Sequence, residues 1–234
     1  MEAVVGEVRA APVDAVVVGG DVAWGPFPRE TVDVLRGLGE AFFVRGNSDR
    51  EVAARAGEDE GLDRVTAEIT AWTADRLSDD DREWLEALPR AVELEVDGLG
   101  EVLFCHGSPR SDEEVITPLS PPERLEAALS SVAHRTVVCG HTHMQFRRRV
   151  GDGEVVNAGS VGLPYEGRHG AYWALLGPDI DLRRTDYDVE AAARAMAATT
   201  CPHVKEAFID TLLHPPSPHE AARQFERIEA TRRY

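Results

Sequence analysis

Thr136-Val137-Val138-Cys139-Gly140-His141-Thr142-His143 is the stretch on which the reading of this chain turns. Four β-branched or small apolar residues predict a short buried strand, a glycine lets the backbone bend, and two imidazoles follow at its end. In extended chain, residues two apart point to the same side, so His141 and His143 are expected to face one centre. The pattern recurs outward along the sequence. Val16-Val17-Val18-Gly19-Gly20 runs into Asp21, Phe42-Phe43-Val44-Arg45-Gly46 into Asn47, and Val102-Leu103-Phe104-Cys105 into His106. A single Gly-Asp or strand-end histidine is ordinary turn chemistry. Four buried strands that each end in a metal-ligand residue type predict a shared site in the crevice beyond the strand ends of an α/β sheet.

The rest of the chain supports that architecture. Further strands are expected at Val92 to Val96 and Glu154 to Asn157, with helices at Glu30 to Leu38 and Glu123 to Val132 between the strands. Arg147 to Val150, the turn Gly151-Asp152-Gly153 and the strand from Glu154 read as a hairpin. Ala171 to Leu176 with Ile180 to Thr185 reads as another. Ser78, Ser120-Pro121-Pro122-Glu123 and Ser217-Pro218-His219-Glu220 sign helix starts. Residues 51–90 form an acidic helical insertion, with 12 carboxylates against 5 arginines. Beyond Asp188 amphipathic helices follow, so residues 1–190 are expected as the main domain and 191–234 as its helical extension.

Composition narrows the function. The 234 residues carry 42 acidic and 25 basic side chains, a net charge of −17, which argues against a long nucleic-acid partner. No apolar run is long enough to span a membrane, and a cytoplasmic chain is expected. Cys105, Cys139 and Cys201 lack zinc-finger spacing, so a metal here would be held by His, Asp and Asn.

Gly20-Asp21, Gly46-Asn47-Ser48-Asp49, His106-Gly107-Ser108-Pro109 and Gly140-His141-Thr142-His143, in this order, resemble the calcineurin-like metallophosphoesterase superfamily. Asn157-Ala158-Gly159-Ser160-Val161-Gly162-Leu163-Pro164 resembles its small prokaryotic phosphodiesterase branch. The resemblance implies a four-layer α/β/β/α sandwich of two mixed sheets, with two metal ions at the strand ends. It implies metal-ligand roles for Asp21, Asn47, His106, His141 and His143. Asp21, Asn47, His106 and Asp49 are the expected catalytic residues. The donor set suits Mn²⁺, with Fe²⁺, Ni²⁺ or Zn²⁺ as alternatives. The implied reaction is hydrolysis of a small or nucleotide-like phosphate ester, with Arg45, Arg110 and Arg168 as candidate substrate contacts.

The family's first motif, an Asp-x-His at the end of the first strand, has no counterpart here. Asp14 is the only aspartate before Asp21, and no histidine precedes His106. Met1-Glu2-Ala3-Val4-Val5 resembles the middle of the family's first helix, so the first strand is expected to be missing. One firmly bound ion, rather than two, is the consequence expected, together with exposed strand edges and self-association. A non-catalytic scaffold on the same fold is the alternative.

Overall fold

The computed structural model describes residues 1–231. Nine strands are found among them: β1 (Val16–Val18), β2 (Ala41–Phe43), β3 (Ala91–Val96), β4 (Gly100–Cys105), β5 (Thr136–Cys139), β6 (Gln145–Val150), β7 (Gly153–Ala158), β8 (Ala171–Leu176) and β9 (Ile180–Thr185). The helices are α1 (Glu2–Ala10), α2 (Pro28–Arg36), α3 (Asn47–Ala54), α4 (Arg64–Ala74), α5 (Asp79–Ala87), α6 (Pro122–Leu129), α7 (Val189–Ala197), α8 (Asp210–Leu213) and α9 (Pro218–Glu229). A π-helical turn, Lys205–Ile209, leads into α8. No helix of the described residues is long and apolar enough to cross a membrane.

One mixed sheet, ordered β3-β4-β5-β7-β6, forms the centre. Its strand alternation builds two cores, as period-2 side chains must. Leu103, Cys105, Val137, Cys139 and Val155 pack beneath α6 and α9. Val102, Phe104, Val138 and Val156 face the other way, against Val17 of β1, Leu176 of β8 and Leu182 of β9. α2, α3 and α5 cover the far side of β1 and β2, and α1 covers β8. These are the four expected layers, but the second is divided. It consists of a parallel β1-β2 pair and an antiparallel β8-β9 pair, with no pairing between them among the described residues.

That division corrects the expectation that all four motif strands are buried. Every residue of β5 is buried, whereas Val16, Val17 and Val18 of β1 and all of β2 are only half-buried. An unpaired edge beside half-exposed valines invites another strand. The chain is therefore expected to self-associate, with light scattering giving a mass that rises with concentration. A constant monomer mass would remove the expectation.

The capping prediction holds at two of three helices. Ser78 and Ser217 each close a capping box, with Asp81 and Glu220. At α6 the N-cap is Pro121, because the Ser120 hydroxyl is engaged elsewhere, accepting from Thr117 N and donating to Glu226.

Candidate metal centre

Four strand ends meet at one point. Asp21 follows β1, Asn47 opens α3 after β2, His106 follows β4, and His141 and His143 follow β5. Asp21, His106 and His141 offer ligand atoms that all lie within 4.8 Å of one another. His106 Nε2 is 3.3 Å from Asp21 Oδ2, and the His106 and His141 rings are 5.1 Å apart at 64°. Asn47 Oδ1 is buried with no hydrogen-bond partner, and His106 Nε2, also buried, has no contact that satisfies it beyond its 3.3 Å approach to Asp21. Buried polar atoms are rarely left so, and an oxygen and an imidazole nitrogen beside a carboxylate are the donors a divalent transition metal takes. The residues present therefore fit the group.

The backbone here is unusual. Asp21, His141 and His143 take φ of 54°, 63° and 58°, three of the five non-glycine residues with positive φ among those described. Left-handed backbone is costly for L residues and concentrates at sites that need it. It also corrects the extended-chain argument for the two histidines. β5 ends at Cys139, and His141 and His143 sit on left-handed backbone either side of Thr142, held by Asn157 Nδ2 donating to Gly140 O and to Thr142 Oγ1 at 3.1 Å. His141 joins Asp21 and His106 in the close group, and His143 stands outside it. Glycine is required on the opposite wall. A Cβ on Gly20 would lie 2.5 Å from His106 Nδ1, and one on Gly46 2.1 Å from Asp21 Oδ1.

The two histidine tautomers are set from behind. His106 Nδ1 donates to Gly19 O at 2.7 Å and His143 Nδ1 to Leu163 O at 2.8 Å, which turns each Nε2 outward. Burial works against ionisation at Asp21, but the charge of His106, with those of His141 and His143, holds its carboxyl well below the usual range. Burial likewise opposes the His106 cation, and the Asp21 charge overcomes it, raising this imidazole to about 9. At His143 burial prevails, and the ring is held below its ordinary value.

The sequence model of the calcineurin-like phosphoesterase superfamily domain matches residues 1–177. The chain belongs to that superfamily. A metallophosphoesterase from Sphaerobacter thermophilus is 26% identical, with TM-score 0.70 over 92% of each chain. A hypothetical protein from Pyrococcus horikoshii OT3 shares the fold at 20% identity and TM-score 0.80, covering 92% of this chain and 93% of that one. Among curated proteins none matches.

In this calcineurin-like phosphoesterase the remaining motif residues take different positions. The Asp49 carboxylate accepts from the backbone N–H of Asp21 (2.9 Å), Val22 (2.7 Å) and Gly46 (2.8 Å), which fastens the two loops together. Burial and the nearby Asp21 charge push it up to about 7. Arg45 donates to Glu86 O at 3.0 Å, and Arg110 grips the buried Glu114. Arg168 lines a separate cavity of about 400 Å³ with His169, Leu213 and His214. Trp24 is core, packed on Phe208 and donating to Thr70.

Two aromatic neighbours of the site carry no motif. Tyr165 stacks on His143 at 5.0 Å, and its N–H donates to His143 O at 2.9 Å. Phe225, on α9, lies 6.4 Å from His141 and 6.0 Å from Tyr165. Only the Leu163-Pro164-Tyr165 proximity to a motif hinted at the first; nothing local marks the second. α9 is fixed by Glu226, which accepts from Thr117 (2.6 Å), Ser120 (2.8 Å) and Arg124 (2.5 Å). Burial alone would raise the Glu226 carboxyl, and these partners lower it below its ordinary 4.5. A depressed folded value gives stability that is present above the unfolded pKa and lost as pH falls through the folded one. Glu226→Gln is thus expected to melt about 3 °C below the parent at pH 7 and to match it near pH 3. An unchanged gap at acid pH would assign the loss to packing instead.

Proposed function

We propose that this protein is a metal-dependent phosphodiesterase acting on a small or nucleotide-like phosphate ester. Asp21, Asn47, His106 and His141 would hold a divalent transition ion, Mn²⁺ ahead of Fe²⁺, Ni²⁺ or Zn²⁺. The supporting observation is the close group of Asp21, His106 and His141, together with a buried, unpartnered Asn47 Oδ1 on the loop after β2. When bound, such an ion acts as a Lewis acid, lowering the pKa of water and neutralising charge at phosphorus.

The chain's own groups then do the following. Ser48 N–H donates to Asp21 Oδ1 at 3.0 Å and fixes that carboxylate. Gly19 and Leu163 carbonyls hold His106 and His143 in the tautomer that presents Nε2. Asp49 acts as a positioning residue, since its three contacts are backbone donors of the Asp21 and Asn47 loops. Among the described residues a second ion would have Asp21 and His143, too few donors for firm binding. A cytoplasmic setting agrees with three free, buried thiols.

Hydrolysis of bis-p-nitrophenyl phosphate with Mn²⁺, and of the corresponding monoester, tests the reading. Diester turnover that is lost on chelation and restored by Mn²⁺ is expected. Calorimetry should give about one tightly bound ion per chain, as the donor count requires. Two tight ions would overturn that stoichiometry. Metal binding without hydrolysis of either ester would overturn the enzyme and leave the scaffold.

A further inference from the structure

Asn47 is the one proposed ligand whose side chain has two ends of nearly equal size and opposite chemistry, a carbonyl oxygen that accepts and an NH₂ that donates. Only the oxygen binds a cation. Its Nδ2 donates to Glu51 Oε1 at 3.2 Å, while Oδ1 is buried and unpartnered on the other side. Glu51 is buried, four residues further along α3, where helix geometry places it against Asn47. Arg50 is anchored by Asp112 at 3.0 Å and Glu113 at 2.6 Å, and its guanidinium lies 4.0 Å from Glu51 Oε1.

We infer that Glu51 is a positioning residue that fixes the Asn47 amide with its oxygen toward the metal. This rests on the metal-dependent reading above. Burial raises the Glu51 carboxyl to about 7, and in the carboxylate form, fully present above that, it only accepts, so the flipped amide would set Oδ1 against Oε1 and leave the NH₂ group aimed at the cation. In a buried setting that arrangement is penalised far more than in water. Without the carboxylate, the two amide orientations approach equal weight, and part of the binding energy is spent selecting one of them. Glu51 therefore touches neither the ion nor the substrate, and acts through Asn47 alone.

Mn²⁺ affinity measured by calorimetry on the full chain, with melting of the metal-free proteins as a control for folding, tests this. Glu51→Leu is expected to weaken binding by about 10-fold or more, the range for residues that orient a metal ligand. Glu51→Gln offers Nδ2 a carbonyl acceptor but can also turn its own NH₂ toward Oδ1, so it no longer selects one amide orientation and should recover at most part of the loss. In an Asn47→Asp background, where either oxygen serves, Glu51→Leu should cost nothing further. Parent-like binding by Glu51→Leu overturns the inference, as does a loss that persists with Asn47→Asp. A parent chain that binds no Mn²⁺ overturns the metal-dependent reading itself. That outcome is distinct from a parent that binds and variants that do not respond.

Discussion

His106→Ala is expected to lower Mn²⁺-dependent diester hydrolysis by more than about 100-fold, beyond the loss typical of a residue that only supports a ligand. The ring is buried, its Nδ1 is committed to Gly19, and its Nε2 has no protein partner that satisfies it. Removing it takes away a donor that no neighbour replaces. Turnover under saturating Mn²⁺ decides the matter, because excess metal recovers a weakened site and does not recover a broken one. Activity restored to within about 10-fold by added metal would mean that His106 tunes affinity only.

Asp49→Ala carries the largest effect expected on stability. It strands the N–H groups of Asp21, Val22 and Gly46 around a side chain with no solvent exposure. Each orphaned buried donor costs about 1–3 kcal/mol. Water entering the cavity recovers part of this, so a net loss of about 4 kcal/mol is expected, or roughly 10 °C in melting temperature for a chain of this size. Scanning calorimetry without metal measures it. A melting temperature within about 2 °C of the parent, with turnover abolished, would place Asp49 at the reacting atoms and not behind them.

Both expectations concern residues that the sequence exposes, and the reason is local. Gly-Asp, Gly-Asn and Gly-His at the ends of apolar runs are short-range signals, and the order of four strands follows from short-range alternation. What escaped the sequence depends on contacts between distant segments. Phe225 reaches His141 across 84 positions of numbering, on an amphipathic helix whose pattern speaks only of a buried face. The division of the second layer is a matter of which strands pair, and β1 and β8 look alike as apolar runs whether or not a neighbour exists. The His141 and His143 spacing suggested convergence for a reason that does not hold. A period of two applies in strands, and β5 stops two residues before His141.

The left-handed backbone at Asp21, His141 and His143 also governs how this protein should be dissected. Alanine tolerates that conformation poorly, whereas asparagine and glycine enter it easily. An alanine scan across these three positions will therefore report a bent main chain relaxing as well as a missing ligand, and will overstate what each side chain contributes. Asparagine or glycine substitutions separate the two effects. His106, which is absent from the set of positive-φ residues, gives a clean reading with alanine.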